Sequence, residues 1–409
     1  MTARLRRFWL TCVAFSAASR WSASLIVHED IEMDPLVALR RDLHRHPELG
    51  FHEARTSDIV ARFLEDLGIE VHRGIGKTGV VGVLKKGSGS RMIGLRADMD
   101  ALPMQDNGEV PWTSQTPNCS HACGHDGHTI MLLGAAAKLT REVEFTGTVC
   151  FIFQPAEEGL AGAKAMIDDG LFQRFPCDAV FALHNWPELP LGEIQTRPGA
   201  IMAAADRFDI ALKGPGGHAA QPHLTHDTLL ALSELVVQLN TLVPRALDPC
   251  EPALLTVTRM QGGFSHNMIP AEANITGTVR TFNPAAQDII ESRLRHMAGH
   301  IAAAHGLDAE VNYSRYYPAT INSESEASQA LAALQAAGMT ARLAPQPALT
   351  SEDFAFMLQA KPGAYLWIGS APSKPLHHAA YDFNDALIPY GIQAFVTLAC
   401  YATGATFPG

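Results

Sequence analysis

The sequence predicts an α/β fold in which a mostly parallel sheet is interrupted by a smaller ferredoxin-like α+β domain. Two observations lead to this prediction. Short apolar strands alternate with helical segments between residues 79 and 184, which is typical of a buried parallel sheet with helices on its faces. From Asp206 onwards the order of elements changes to β-α-β-β-α-β, which is the order of a ferredoxin-like module.

The elements of the first region follow from the spacing of apolar residues. Leu36, Leu39 and Leu43 recur at helical spacing, so we predict a helix over residues 35–45 that ends before Pro47. The same spacing indicates a second helix over residues 53–67, and further helices are predicted at residues 126–142 and 162–169. Short apolar runs indicate strands, one of them at residues 92–98. The remaining predicted strands are residues 79–84, 148–153 and 179–183.

The inserted module and the return of the chain are predicted in the same way. The module contains strands at residues 207–212, 254–260, 273–281 and 310–313 and helices at residues 227–242 and 287–305. The chain then forms helices at 325–337 and 351–358, a strand at 364–368 and a closing helix from about residue 390. We therefore predict a large domain from residues 34–205 and 316–409, a ferredoxin-like domain from residues 206–315, and an N-terminal extension or signal-like segment over residues 1–33.

Composition limits the classes of function. With 409 residues, the chain is long enough for two domains, and its 47% apolar and 18% charged residues are ordinary for a globular protein. A formal net charge of −11 argues against nucleic-acid binding, which needs a basic surface. The seven cysteines are scattered and odd in number, so no disulfide framework is indicated.

The first thirty residues permit two interpretations. Arginines near the start precede a moderately apolar run, as in a secretory signal, but Arg20 and Trp21 interrupt the pattern. We expect a cytoplasmic protein with an N-terminal extension, or a secreted or periplasmic protein if residues 1–30 act as a signal peptide. We predict no membrane span, because no later segment approaches the roughly 20 apolar residues that a span requires.

The stretch from residue 121 to 128 carries three histidines, a cysteine and an aspartate. Cys123 and His125 are separated by a glycine, which lets the chain turn tightly where the following helix begins. Thiolate, imidazole and carboxylate together suit a borderline metal such as zinc, manganese or cobalt. Distant segments add His184 and His378. A lone histidine is more often a core or surface residue, but several suitable groups near predicted strand ends indicate a metal site.

Two adjacent glutamates follow the predicted strand 148–153. Side chains of neighbours in an extended chain point apart, so Glu157 and Glu158 do not easily face one ion together. One is expected to coordinate metal and the other to accept a proton from the attacking water. The alternative is a solvated charge pair, which the preceding buried strand makes less attractive. Asp98 also lies at a strand end, where open α/β sheets place their sites.

Several short motifs lie between about Asp34 and the C-terminus. They are DLHRHPE (42–48), LRADMDALP (95–103), HACGHD (121–126), QPAEE (154–158), GHAAQPH (217–223), NMIP (267–270), GTVRT (277–281) and SEDF (351–354). Together they resemble the hippurate hydrolase and indole-acetyl-amino-acid hydrolase branch of the aminoacylase/carboxypeptidase G-type metallopeptidases. The resemblance implies a hydrolase domain with a dinuclear metal site and a ferredoxin-like lid or dimerisation domain.

The resemblance also implies a ligand set for two divalent ions, manganese or zinc, with cobalt and nickel as alternatives. Cys123 would bridge the ions, His125 and His184 would hold one, and Glu158 and His378 would hold the other. Glu157 would be the general base and acid. The broader family often has His-x-Asp where this chain has Arg96-Ala97-Asp98, so Asp98 is expected to orient a ligand imidazole. Other candidates for such orienting contacts, none of them expected to be direct ligands, are His121, Asp126, His128 and His377.

The predicted substrates are N-acyl amino acids, cleaved to a carboxylic acid and a free amino acid. His218 resembles the family histidine that donates to the developing oxyanion, from its own chain or from a dimer partner. Arg280 and Asn267 resemble the groups that bind the substrate carboxylate, for which a guanidinium is suited. The resemblance implies a homodimer or homotetramer, and hinge closure is expected because the site and lid lie on different domains.

Two other functions stay open from the sequence. One is a dipeptidase or carboxypeptidase of the same architecture. The other, more distant, is a non-catalytic metal-binding interaction protein that keeps the scaffold. The residues do not determine the acyl preference, which depends on pocket shape, or the native metal, since the ligand set tolerates both manganese and zinc.

Overall fold

The structure is a computed structural model that describes residues 33–403. The predicted N-terminal extension or signal segment therefore lies outside the described residues, apart from Met33. The strands are β1 (Glu70–Ile75), β2 (Gly79–Lys86), β3 (Met92–Asp98), β4 (Gly147–Gln154), β5 (Ala179–Pro190), β6 (Ile194–Thr196), β7 (Gly199–Met202), β8 (Ala204–Lys213), β9 (Gly217–His218), β10 (Ala253–Gly262), β11 (Met268–Ile269), β12 (Glu272–Thr281), β13 (Asp308–Tyr317), β14 (Thr320–Asn322), β15 (Ala341–Leu343) and β16 (Gly363–Ala371). The helices are α1 (Met33–Arg45), α2 (Ala54–Asp66), α3 (His125–Arg141), α4 (Glu157–Leu160), α5 (Gly162–Asp168), α6 (Leu171–Arg174), α7 (Thr228–Ala246), α8 (Pro284–Ala304), α9 (Glu324–Ala336), α10 (Ala355–Ala360) and α11 (Ile388–Thr403).

An eight-stranded sheet, called the large sheet below, has the order β1-β2-β4-β3-β5-β16-β6-β15. Its central strands β4, β3, β5 and β16 are mutually parallel, as are β6 and β15, whereas β1 and β2 are antiparallel to their neighbours. Strand β4 is buried along its whole length, which explains its continuous apolar sequence. The prediction of a mostly parallel α/β sheet is confirmed.

Helix α3 lies at the centre of the helical layer. It packs against α1, α2 and α11 as well as β3, and almost all of its residues are buried, which is why it is rich in small and apolar residues on every side. Helix α11 belongs to the same layer. The window 385–403 is long and apolar enough to cross a membrane, but 72% of it is buried inside the protein, where α11 contacts α3 and α9. It is therefore a core helix of this fold.

A four-stranded antiparallel sheet, called the small sheet, has the order β10-β12-β8-β13. Helices α7 and α8 pack on it, so the chain order is β-α-β-β-α-β with the strand order of a ferredoxin-like module. The side chain of Asp227 accepts hydrogen bonds from the first amides of α7, and Asn283 does the same for α8. The small sheet runs from Ala204 to Tyr317, and the domain limits at 206 and 315 stay a prediction.

Several elements differ from the sequence predictions. The helix predicted at residues 351–358 begins only at Ala355, because the Phe354 amide donates to the Glu352 carboxylate in a turn. Strand β5 continues to Pro190, well beyond the predicted end at residue 183. Strand β1 was not predicted, and its largely exposed residues lack an apolar alternation. The described cysteines, between Cys119 and Cys400, are free thiols.

The chain enters and leaves the small sheet at adjacent places. Strand β7 precedes the entry, β14 follows the exit, and the two strands pair with each other. On the small-sheet side of this junction, Ala205 of β8 pairs with Tyr317 of β13. Met202, Ala205 and Tyr317 of this junction line the same cavity as the predicted site residues Cys123, Glu157 and Glu158.

Candidate metal centre

The carboxyl ends of β3, β4 and β5 bring polar side chains to one edge of the large sheet. Asp98, the last residue of β3, pairs with Gln154, the last residue of β4. Ala182 of β5 pairs with Arg96 of β3. Two residues further along both strands, His184 therefore lies level with Asp98. This is the position at which parallel α/β sheets form their sites.

A glycine at the start of α3 determines where Cys123 and His125 lie. Gly124 has a φ of 89°, and a Cβ at this position would come within 2.6 Å of the Asn185 side-chain oxygen and 2.8 Å of the Tyr381 hydroxyl. Only glycine tolerates both the left-handed backbone and this close approach. The turn places the Cys123 Sγ 3.5 Å from the His184 Nε2. The structure therefore brings together three of the predicted ligands.

Glu158 joins the same cluster from the turn after β4. Its Oε1 lies 3.9 Å from the His125 Nε2 and 3.4 Å from the Nε2 of His377. Ligand atoms of Cys123, Glu158 and His377 all lie within 4.8 Å of one another, as do those of His125, Glu157 and Glu158. Ions held between these groups would have sulfur, nitrogen and oxygen donors within reach.

The prediction of His378 as a ligand is corrected by the structure, which brings the preceding residue to the cluster instead. His377 has a φ of 61°, and its amide donates to the Ala122 carbonyl at 2.8 Å, so the backbone is held beside the Cys123 turn. The Nδ1 of His378 accepts the Ala380 amide at 3.0 Å in a local exposed turn. Two adjacent histidines point in different directions, and this backbone contact decides which one faces Glu158.

Unpaired buried atoms show that the donor set fits a cation. The His125 Nε2 and the Glu158 Oε1 are buried and have no hydrogen-bond partner. The His125 Nδ1 faces an oxygen of Asp100 at 3.3 Å, and the His184 Nδ1 donates to the Asn185 carbonyl at 2.8 Å. When each ring carries a single proton, both contacts favour that proton on Nδ1 and leave the lone pair of Nε2 for a metal ion.

Asp100 is a site residue that the sequence analysis missed. Its Oδ1 accepts the Glu157 amide at 3.0 Å and faces the His125 Nδ1, while its Oδ2 accepts the Glu158 amide at 2.9 Å. One buried carboxylate thus orients a ligand imidazole and the turn that carries both glutamates. The available signal was its position two residues after Asp98 in the LRADMDALP motif, since residues at this spacing in an extended chain face the same side.

Asp98 has different contacts from those expected. Its Oδ1 lies 2.6 Å from the His128 Nδ1, and its Oδ2 accepts the Arg96 guanidinium at 2.7 Å. The distance from Asp98 Oδ2 to the His125 Nε2 is 3.8 Å, which is too long for a hydrogen bond. The Nε2 of His128 contacts Asn185 at 2.6 Å, so both nitrogens of this ring are in use. His128 is therefore a structural partner of Asp98.

Of the other histidine and aspartate candidates, Asp126 and His121 are buried away from the ligand atoms. Asp126 lies 2.8 Å from the His44 Nδ1 and accepts Arg40 at 3.5 Å, which joins α1 to α3. Burial lowers the pKa of His121 to about 4, so its ring is neutral, and neither of its nitrogens has a hydrogen-bond partner.

Arg96 lies fully buried beneath the cluster. Its guanidinium donates to Gln154 and pairs with Asp98 at 2.7 Å, Glu352 at 2.9 Å and Asp353 at 3.2 Å. Glu352 and Asp353 belong to the SEDF motif, which was noted in the sequence without a role. One cation thus serves three carboxylates, and the negative charge of Glu157 and Glu158 remains in excess at the edge of the sheet.

The pKa values of the cluster reflect this excess of negative charge. Burial, followed by Glu158 and Glu157, raises the pKa of the Cys123 thiol well above its usual range. Burial lowers the pKa of His125, but Asp98 and the neighbouring carboxylates outweigh it and raise that pKa to about 10. A divalent ion would satisfy the same carboxylates and displace both protons, as metal binding to thiol and imidazole ligands requires.

Without metal, the pKa values of Glu157 and His184 are shifted in opposite directions. Burial, then Glu352 and Glu158, raises the pKa of Glu157 well above its usual range. Burial and the neighbouring His128 ring lower the pKa of His184, which keeps its imidazole neutral. A neutral imidazole is a competent ligand, and a carboxylate with a raised pKa is suited to take up and release a proton.

A cavity of about 490 Å³ opens onto the cluster. Cys123, Glu157, Glu158 and His184 form its polar wall, and Arg280 approaches from β12 of the small sheet. The remaining lining residues are Gly159, Trp186, Met202, Ala205, Tyr316, Tyr317, Thr350, Ser351, Glu352, Leu376 and His377. The predicted carboxylate-binding Arg280 and the predicted metal ligands therefore share one cavity between the two sheets.

His218 and Asn267 lie elsewhere, on a two-stranded ribbon formed by β9 and β11. His218 pairs with Met268 in this ribbon, and the Asn267 carbonyl accepts the Ala219 amide at 3.0 Å. Both side chains are exposed, and the Asn267 Oδ1 accepts the Ser265 hydroxyl. Among the described residues that line the cavity, neither is present.

Comparison with known proteins agrees with this geometry. The model of peptidase family M20/M25/M40 matches residues 94–400. The chain belongs to this family. The M20/M25/M40 match includes every residue that the structure places at the metal cluster, from Asp98 to His377.

Curated relatives of this M20-family chain cover most of its length. Hippurate hydrolase of Campylobacter jejuni is 39% identical over 88% of this chain and 94% of its own. N-acetylcysteine deacetylase of Bacillus subtilis is 38% identical over 89% and 96%, respectively. IAA-amino acid hydrolase ILR1-like 4 of Arabidopsis thaliana is 36% identical over 90% and 85%. The expected branch of the family is therefore confirmed.

A solved structure shows the same fold. The YXEP protein of Bacillus subtilis, described as a dinuclear metal binding peptidase from the M20 family, matches with a TM-score of 0.81. It is 34% identical over 91% of this chain and 99% of its own. The M20 fold thus extends over nearly the whole described chain, including both sheets.

Proposed function

We propose that this M20-family protein is a metal-dependent amidohydrolase that cleaves N-acyl amino acids to a carboxylic acid and a free amino acid. The observation that carries the proposal is the shared cavity, in which Glu157 and the metal-ligand cluster face Arg280 across the junction of the sheets. An amide with a carboxylate on its amine side presents groups that suit both walls. The names of the curated relatives describe enzymes that act on compounds of this class.

We propose that two divalent ions, manganese or zinc, with cobalt and nickel as alternatives, are held by this cluster. Cys123, His125, His184, Glu158 and His377 would hold them. Bound ions would lower the pKa of the attacking water and polarise the amide carbonyl. The described dinuclear nature of the Bacillus subtilis neighbour supports two ions rather than one.

Protons would move through Glu157. Its raised pKa favours removal of the proton from the attacking water, and its position on the cavity wall lets the same carboxyl return that proton to the leaving nitrogen. The leaving amine needs this donor, because an amide anion is a poor leaving group.

The substrate carboxylate would be bound by Arg280. Its guanidinium donates to the Val279 carbonyl at 3.0 Å and to Thr278, which fixes its direction and leaves further N–H groups for a ligand. His218 and Asn267 would complete the site by supplying an oxyanion donor and a second carboxylate contact. Because both lie on an exposed ribbon outside the cavity, they would arrive by closure of the small sheet or from the partner in a homodimer or homotetramer. The proposed location is cytoplasmic, or secreted or periplasmic if residues 1–30 act as a signal peptide.

An assay with benzoylglycine beside a panel of dipeptides tests the function. We expect the metal-loaded protein to release benzoate and glycine in equal amounts and to cleave the dipeptides more slowly. Faster cleavage of dipeptides would instead indicate a dipeptidase or carboxypeptidase. Bound metal without hydrolysis of any compound in the panel would indicate a non-catalytic protein.

The role of Arg280 has its own test. Replacing it by Met removes charge-assisted hydrogen bonds of roughly 1.5–3 kcal/mol, so KM for benzoylglycine should rise about 10- to 100-fold while kcat changes less. Arg259→Met is the matched control, because Arg259 is exposed on the neighbouring strand β10 and contacts Gln261. An unchanged KM in Arg280→Met would refute the assignment.

A further inference from the structure

The peptide group between Glu157 and Glu158 is held from both sides. Its N–H, that of Glu158, donates to the Asp100 Oδ2 at 2.9 Å. Its carbonyl, that of Glu157, accepts the hydroxyl of Tyr317 at 2.5 Å. Asp100 follows β3 of the large sheet, whereas Tyr317 ends β13 of the small sheet. A single peptide therefore joins the two sheets at the centre of the proposed site.

The Tyr317 hydroxyl makes a second contact within the same turn. It accepts the Ala161 amide at 3.2 Å while donating to the Glu157 carbonyl. The turn between them contains Gly159 at a φ of 80° and ends with Ala161 at a φ of 56°, so it is not a regular helix. A turn of this kind has few hydrogen bonds of its own, and the tyrosine hydroxyl links its two ends.

An irregularity in β13 brings two adjacent tyrosines to the site. The pairing of β13 with β8 shifts register between Arg315 and Tyr317, as it does at a β-bulge. Neighbouring strand residues normally face opposite sides, yet the rings of Tyr316 and Tyr317 stack at 4.9 Å with 14° between their planes. Both tyrosines line the cavity, and Tyr317 is the more buried of the two, with 4% of its surface exposed.

We propose that Tyr317 is a positioning residue that couples the exit of the chain from the small sheet to the direction of the Glu157 carboxylate. Rotation of the peptide between Glu157 and Glu158 changes ψ of Glu157 and φ of Glu158, and these dihedrals restrict the rotamers that the two side chains can adopt. With Asp100 fixed on the large sheet, the hydroxyl of Tyr317 sets this rotation from the small sheet. Movement of the small sheet towards closure would then adjust the base relative to the ligand Glu158. The proposal rests on the proposed function for the role of Glu157.

The test is the Tyr317→Phe variant, which removes the hydroxyl and keeps the ring stack. Tyr313→Phe is the matched control, because Tyr313 lies on the same strand, does not line the cavity, and donates its hydroxyl at 2.6 Å to buried Asp206. In the metal-loaded enzyme, Tyr317→Phe should lower kcat about 10- to 100-fold with KM and metal content nearly unchanged, since small misplacement of a reacting group has effects of this size. Tyr313→Phe should retain kcat.

Amide hydrogen exchange gives a readout that does not depend on turnover. Tyr317→Phe should speed exchange in residues 157–161 of the full-length metal-loaded protein, and Tyr313→Phe should leave that segment as in the wild type. An unchanged kcat in Tyr317→Phe, or an equal loss of kcat in Tyr313→Phe, would overturn the proposal. If the wild type hydrolyses no N-acyl amino acid, the proposed function fails. Faster exchange confined to Tyr317→Phe would still support the positioning role of Tyr317, and unchanged exchange in that variant would overturn it.

Discussion

Two regions predicted to act together differ sharply in their surroundings. The metal cluster is buried apart from His377, which is exposed after β16. Its other side chains come from the ends of β3 and β5 and from the turns before α3 and after β4. The β9–β11 ribbon carries His218 and Asn267 as exposed side chains, and both residues contact the ribbon itself and the turns beside it. The residues of the metal cluster thus meet within one chain, whereas His218 and Asn267 on the ribbon lie outside the cavity that contains the cluster.

The difference has a simple physical origin. Parallel strands in register place their carboxyl ends at a common edge, so polar residues at those ends meet whatever the length of chain between them. The ribbon has two residues in each strand and is tied to the small sheet, so its position follows that of the small sheet. The distance between the ribbon and the cluster therefore depends on where the small sheet lies and on how chains associate.

Removal of the proton-transfer group should have the largest effect. Glu157→Gln keeps the shape of the side chain and abolishes proton uptake, so kcat should fall about 10²- to 10⁴-fold. Metal analysis of the purified variant should give the wild-type content, because Glu158 and the other ligands are untouched. Normal turnover in Glu157→Gln would refute the assignment of the base.

Loss of the ribbon histidine should have the next largest effect. His218→Ala removes the proposed oxyanion donor, and kcat should fall about 10²- to 10³-fold. Mixing His218→Ala with Glu157→Gln distinguishes the two routes to the cavity. If the histidine comes from the partner, a hybrid dimer contains one site with both groups intact. We therefore expect partial recovery of activity in the mixture. A mixture as inactive as its components would mean that the histidine acts in its own chain after closure.

The two adjacent histidines offer the sharpest test of the cluster itself. His377→Ala should weaken metal binding by at least about 10- to 100-fold, as loss of a ligand or its support does. His378→Ala should leave it unchanged, because His378 is not part of the cluster and its Nδ1 accepts the Ala380 amide. Competition with a chromogenic chelator measures both affinities. A larger loss in His378→Ala would restore the original prediction.

Particular residues show how far the sequence reaches into the site. The predicted ligands Cys123, His125 and His184 lie close together in the structure, and their roles as ligands stay a prediction. His184 lies within a strongly apolar strand, and Cys123 and His125 lie where a strongly apolar helix begins. Choosing between His377 and His378 failed by one position, since an amide contact to Ala122 decides it and no periodic pattern encodes that contact. Asp100 was missed because its partners are backbone amides 57 and 58 residues away.

The sequence by itself determined the α/β class, the ferredoxin-like insertion and the chemistry of the donors, because hydrophobic periodicity and residue type are local properties. Only the tertiary structure decided which histidine reaches Glu158, which carboxylate orients the glutamate turn, and which hydroxyl links that turn to the small sheet. These depend on distances between atoms far apart in the chain, and such distances are set by strand register and packing rather than by any short stretch of residues.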